Sequence, residues 1–320
     1  MKKLLVLILL ISTPILAQQF GQVGTSGAQF LKINFDPRSS GLGYASTSVV
    51  SGAPALYTNV AGLEGLRTVD VTFAYVPWFA DIKMASLAMG YRLEDIGVIG
   101  IQASGFSTEE EVTTLEMENG TGEMYSIKNY SFGLSFARHI TDKLAAGIQA
   151  KYILESYYDH STSGIAFDVG TNYDLGFSGS RLGLSLQNFG PDLPELSGNY
   201  QDYSDNDSLK TFNHMPLPVT FRASFTIVPI VTELYSVRLI VDLVHPNDNI
   251  EHYNVGSEIT IMDAIALRGG LKLNYDNESF ALGVGIDGTK LLGQNVRLDY
   301  SYEHFTILPS VQKISLGFSM

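Results

Sequence analysis

The segment AIALRGGLKLNY, residues 264 to 275, constrains the fold more than any other stretch of the chain. One parity reads Ile265, Leu267, Gly269, Leu271, Leu273 and Tyr275, and the other reads Ala264, Ala266, Arg268, Gly270, Lys272 and Asn274. A period of two with one apolar face and one polar or tiny face describes a strand dividing two environments. The pattern recurs. Residues 165 to 174 set Ile165, Phe167, Val169, Thr171 and Tyr173 against Ala166, Asp168, Gly170, Asn172 and Asp174. The segment from Tyr235 to Leu243 repeats the split, and the last ten residues place Ile314, Leu316, Phe318 and Met320 opposite Lys313, Ser315, Gly317 and Ser319.

A soluble sandwich alternates as well, so other features must separate the two. Gly, Ser and Asn crowd the polar faces, aromatic residues gather near the ends of the apolar faces, and the chain ends inside a strand pattern. Strands are expected near 68–77, 82–93, 95–106, 123–139, 143–157, 163–175, 180–188, 217–228, 233–244, 252–262, 264–275, 278–287, 294–305 and 311–320. The long connections (107–122, 158–162, 189–216 and 245–251) then share one side, and most on the other side, as around Glu94, Thr141-Asp142 and Asp263, are short. Long loops outside the cell and short periplasmic turns are the asymmetry of an outer-membrane barrel. The expected fold is therefore all-β: a transmembrane antiparallel β-barrel of about fourteen strands, with a plug or hatch segment before it.

The beginning of the chain agrees with that destination. Met1-Lys2-Lys3 is basic, Leu4 to Ile11 is apolar, and Ala17 is a small residue at a cleavage position, which together read as a secretory signal peptide over residues 1–17. The absence of Cys excludes a lipid-anchoring cysteine, disulfides and thiolate chemistry. An excess of 33 acidic over 20 basic side chains argues against nucleic acid as a partner and leaves outer-membrane lipid as the expected surrounding. Residues 67–320 are assigned to the barrel. Residues 18–66, dense in Gly, Ala and Ser yet carrying Phe20, Phe30, Leu31, Ile33, Leu42, Leu56 and Leu63, suit a segment packed inside a lumen rather than a loose tail.

Several runs are specific enough to name a likeness. GAQFLKI at 27–33, Arg38 through Gly41-Leu42-Gly43 to Ala45, and ALYTNVAGL at 55–63 resemble the N-terminal signature of the PorV/PorQ family. LSLQNFGPDLPEL, MPLPVTFRASF, YNVGSEI, ALRGGLKL and LDYSYE extend the resemblance over most of the chain. The resemblance implies a barrel similar to the fatty acid transporter FadL, with a hatch that includes Gly41, Gly43, Asn59, Ala61 and Gly62 and is anchored near Asn59. It also implies association with type IX secretion, through cargo C-terminal signal domains or the translocon. Where such proteins usually read Asn-Pro-Ala-Gly, this chain has Asn59-Val60-Ala61-Gly62, which leaves the local turn open.

Asp168, Arg222, Arg238, Asp242, Glu258, Arg268, Arg297 and Asp299 all fall on polar parities, as a structural charge network in the lumen or as a lining for hatch or ligand. At the rim, Trp78, Phe79, Phe305, Ile307 and Leu308 are expected to neighbour one another, as interfacial anchors or as an apolar patch that docks a protein or admits a lipid. No catalytic constellation appears, and the chain is not expected to be an enzyme. GVGIDG at 283–288 lacks the strand-turn-helix context of a nucleotide loop, and its glycines are expected to leave lumen space. Neither HPNDNIEH at 245–252 nor QDYSDND at 201–207 has metal-loop order, so no metal or cofactor is expected. Two functions remain: a secretion accessory, which the resemblance puts first, and a FadL-like channel for a hydrophobic ligand.

Overall fold

The computed structural model describes residues 23–113, 116–118, 120–202, 208–211, 213–289 and 293–320. The assigned signal peptide lies outside them. Strands β1 (Val69–Pro77), β2 (Lys83–Leu93), β3 (Gly97–Glu111), β4 (Met124–His139), β5 (Leu144–Tyr157), β6 (His160–Asp174) and β7 (Arg181–Phe189) form a meander. β8 (Asn199–Asp202) and β9 (Ser208–Thr211) make a separate two-stranded ribbon. The meander resumes with β10 (Thr220–Val231), β11 (Tyr235–Pro246), β12 (His252–Ile261), β13 (Ile265–Leu273), β14 (Glu278–Asp287), β15 (Val296–Phe305) and β16 (Val311–Ser319). Antiparallel pairing of β1 with β16, Phe73 opposite Leu316, closes fourteen strands into one barrel.

Alternation is what the barrel wall is made of. In β13 the odd residues Leu267 and Leu271 are 47% and 52% exposed on the outside, while Arg268 and Lys272 are buried within. Leu87, Leu134, Leu184, Leu239 and Leu316 continue an apolar exterior around the circumference. In water such a surface would be a vast exposed patch; against acyl chains it is solvated, and closure leaves no unpaired edge. The exterior is that of a membrane-spanning barrel.

Strand positions follow the sequence expectation closely, with four differences, the first being that β3 runs on to Glu111, into the connection expected at 107–122. β6 begins at His160, so the connection expected at 158–162 shrinks to a turn with Tyr158 at φ 59°. β10 runs on to Val231 through a register shift between Ile227 and Ile230, where Pro229, which has no N–H to give the ladder, is accommodated. The β8–β9 ribbon in the longest loop was not anticipated, because its residues carry no clean alternation.

Residues 23–66 lie inside the barrel. Their first part sits under the long-loop end, where Gly27 N–H donates to Pro216 O at 3.0 Å and Ala28 N–H to the Glu155 carboxylate at 3.3 Å. A one-turn helix α1 (Pro37–Gly41), capped by the Asp36 carboxylate, lies at mid-height against β13–β16. Two 3-10 turns, Ala53–Tyr57 and Val60–Gly65, fill the short-turn end against β2–β6. Arg92 then holds the exit into β1, donating to Leu66 O at 2.8 Å and Glu64 O at 2.6 Å.

Candidate functional site

The interior segment is seated by missing side chains. A Cβ at Gly270 would lie 2.1 Å from Gly43 N and Leu42 C, and one at Gly41 would lie 2.8 Å from Gly283 Cα. Gly43 and Tyr44 have φ of 63° and 64°, a left-handed pair that only a small first residue enters without strain. Gly62 has the same role within the segment, since a Cβ there would meet Val50 O at 2.4 Å. Asn59, fully buried, ties the segment to the wall: its amide donates to Thr47 O at 2.8 Å, Thr171 O at 3.2 Å and Asn172 Oδ1 at 3.0 Å. Its carbonyl oxygen accepts from Ala61 N–H at 3.2 Å, so an Asn N-cap makes the turn without proline.

A ladder of ions carried by five strands of the wall runs at the level of α1. Glu258 accepts both Arg38 guanidinium nitrogens at 2.8 and 2.9 Å, Arg238 at 2.6 Å and Arg268 at 2.8 Å. Arg238 and Arg268 are its register partners on the flanking strands. Arg268 also donates to Asp299 at 2.6 Å, reaching across β14 over Gly285, where a Cβ would lie 2.4 Å from Asp299 Oδ1. Arg297 stands between Asp299 and Asp70 at 3.5 and 3.6 Å. The glycines of GVGIDG therefore admit the helix and the ion pair. The remaining expected members stand apart: Asp168 pairs with Lys151 at 2.8 Å, Asp242 accepts the backbone N–H of Ser46 and Thr47, and Arg222 lies beside Asp242 with its Nε unbonded.

A second buried cluster was not anticipated. Glu303 binds Lys313 at 2.6 Å and Lys272 at 3.1 Å, while Lys313 also donates to Asn34 O at 2.8 Å and Tyr44 Oη at 2.8 Å. Lys272 lies 3.7 Å from the Tyr44 ring centroid. Lys272 and Lys313 stood on the polar parities of the sequence; their convergence on Tyr44 depends on barrel closure.

Above this cluster the lumen turns apolar. Phe30 and Phe35 from the interior segment pack with Met84, Ile153, Leu193 and Phe305. Trp78, Phe79 and Phe305 meet one another at centroid distances of 4.8, 5.1 and 6.3 Å, largely edge to face. The rim residues expected to neighbour one another, as interfacial anchors or as an apolar patch, are divided. Phe305 is 6% exposed, and with Trp78 and Phe79 it packs against the apolar cluster inside the mouth, whereas Ile307 at 81% and Leu308 at 43% face out. The reason is parity: Phe305 continues the inward row of Ser301 and Glu303.

At the long-loop end Asp248 holds the interior segment, accepting from Ser26, from Gln29 at 2.8 Å and from Lys32 at 2.5 Å. Burial works to raise its pKa, but the hydrogen bonds from Gln29, Lys32 and Ser26 outweigh it and hold the carboxyl below its ordinary range. His245 pairs with Glu251 and His252 stacks on Tyr275, so the 245–252 loop does not converge on one point. Among the described residues no group of three or more potential metal ligands is assembled. Residues 203–207 lie outside the described residues. At the short-turn end, a cavity of about 740 Å³ lies between the interior segment and the wall, lined by Arg38, Asp70, Arg238, Glu258, Arg297 and Asp299 among others.

Three solved structures share this architecture. CymD, a monoaromatic hydrocarbon channel, aligns over 90% of this chain and 98% of its own, at TM-score 0.63 and 13% identity. The toluene transporter TbuX of Ralstonia pickettii aligns over 90% and 98%, at 0.58 and 14%. A FadL homologue of Pseudomonas aeruginosa covers 89% and 98%, at 0.52 and 10%. The fold is that of the FadL-type barrels. At these identities the likeness carries the fold alone. No protein-family model matches the chain, and no curated protein matches it.

Proposed function

We propose that this protein is an outer-membrane channel for small hydrophobic molecules, with residues 23–66 as its hatch. The observation that carries the reading is the apolar upper lumen, where Phe30 and Phe35 of the segment face Met84, Ile153 and Phe305 of the wall. A barrel that passes only ions or sugars has a polar interior, and here the interior changes from aromatic at the mouth to charged near the turns. The hydrocarbon channels with the same fold favour the same reading. The secretion reading came from the family resemblance, with the extracellular rim as its docking surface; three of those five rim residues pack into the mouth, and the comparisons favour the channel over it.

The test is uptake of labelled toluene by Gram-negative cells without channels of their own, with and without this protein. Uptake above the control, reduced by Phe305→Gln, is the expected result. Uptake equal to that of control cells would sink the channel.

A further inference from the structure

The wall facing the interior segment narrows the chemistry of the molecule that passes. A cavity of about 20 Å³, room for about one water, separates Phe30, Leu31, Phe35 and Leu56 from Gln102, Ser104, Ser131 and Lys151. The polar side of this cavity is built by register. Ser86 pairs with Ser104 and Ser104 with Ser131, which sets three hydroxyls in a row across the inner faces of β2, β3 and β4. One step toward the turns, Gln102 lies opposite Gly133, where a Cβ would come 2.2 Å from Gln149 Nε2, 2.8 Å from Gln102 Cγ and 3.1 Å from its Nε2, so the glycine makes room for both side chains.

Charge at this site is already balanced. Lys151 is held by Asp168 at 2.8 Å and by Asn188, which removes the attraction an anionic head group would need. Gln102 is different. It is 6% exposed, its nitrogen reaches Ser131 Oγ only at 3.5 Å, and its Oε1 has no hydrogen-bond partner. A buried acceptor of this kind favours a donor that arrives with the ligand.

We propose that the lumen selects uncharged apolar molecules bearing one hydroxyl, an alcohol or a phenol, whose O–H donates to Gln102 Oε1 while the hydrocarbon part lies against Phe30, Phe35 and Leu56. This proposal rests on the channel reading above. The Phe30 and Phe35 rings are the movable side of the site. Their stretch is held by side-chain contacts, from Asp248 and Glu155 ahead of Phe30 and from Lys313 to Asn34 O beside Phe35, rather than by strand pairing, so a ligand enters by displacing rings, not wall.

Labelled p-cresol and p-xylene, matched in shape and differing as hydroxyl and methyl, are the probes, with uptake by cells lacking the protein subtracted. The expected result is p-cresol uptake exceeding p-xylene roughly five-fold, the weight of one hydrogen bond, with 4-methylanisole, which accepts but cannot donate, behaving like p-xylene. Gln102→Leu brings the p-cresol to p-xylene ratio toward one. Ser131→Ala lowers it in the same direction and serves if the first variant fails to reach the membrane. Equal uptake of p-cresol and p-xylene, or of p-cresol and 4-methylanisole, overturns the proposal and leaves the channel standing. A ratio unmoved by either variant also overturns it. Failure of all three probes to exceed the control overturns both readings.

Discussion

Glu258 is the carboxylate on which the position of α1 turns. It is 2% exposed and accepts from three guanidinium groups, of which Arg38 belongs to the interior segment and Arg238 and Arg268 to the wall. Glu258→Gln removes the charge and keeps the volume. Arg268 retains Asp299, but Arg38 and Arg238 are left facing each other without the carboxylate between them. Breaking a buried pair in this way costs about 3–5 kcal/mol. Arg38→Met removes two charge-assisted bonds of about 1.5–3 kcal/mol each, but it also removes the several-kcal/mol cost of desolvating one cation and leaves Glu258 with both wall partners, so its net loss is the smaller. Hydrogen exchange reads the difference locally, at Leu42, Gly43 and Tyr44, whose N–H groups donate to Arg38, Ser40 and Ser39 carbonyls. Glu258→Gln is expected to lower protection there roughly a hundred-fold or more, with Arg38→Met between it and the parent and the β12 ladder little changed. Undiminished protection at these amides, or a larger loss in Arg38→Met, would refute the argument that this carboxylate seats the helix.

Three further outcomes are expected. Gly270→Ala, whose Cβ has no space beside Gly43, destabilises the protein by about 3 kcal/mol, whereas Gly269→Ala, with its nearest atom at 4.0 Å, is close to neutral; paired thermal unfolding in detergent compares them. Asn59→Ala loses the two amide N–H groups shared among Thr47 O, Thr171 O and Asn172 Oδ1, and a cap, and is expected to cost about 2–4 kcal/mol, visible as protease sensitivity near residues 45–62. The Asp248 carboxyl, whose pKa is lowered by folding, contributes stability that is fully present above its unfolded value and is lost as pH falls through the folded one. Exchange at residues 26–32 should therefore rise on acidification below the ordinary carboxylate range, and Asp248→Asn should abolish that dependence.

Strand positions were legible because a wall one residue thick must alternate, and each residue declares its side. The inward glycines were legible too, as space, although their partners were not: nothing local links Gly283 to Gly41. Glu258, Arg268 and Asp168 were legible as inward charges from the polar parity of their strands, whereas the pairing of Glu258 with Arg268, of Lys151 with Asp168 and of Glu303 with Lys313 needed the actual stagger. Trp78 and Phe305 were placed near each other correctly by closure, yet their inward aim is a matter of parity at the end of a strand, where one residue decides between lipid and lumen. Arg38 and Asp248 were the least legible, because each meets a partner more than two hundred positions away.

The interior segment precedes β1 in the chain yet passes from the long-loop end to the short-turn end of a barrel that β1 and β16 close. A ring already shut would have to be threaded by chain that fills it, past Gly270 and Gly283, where backbone touches backbone. Filling and closure are therefore linked, since the same inward glycines that admit the segment lie on strands of the closed ring. Lys313, on the closing strand, grips Asn34 O, Ser40 and Tyr44 of that segment. The strand that completes the wall at the β1 seam is thus also a clasp on what the wall encloses.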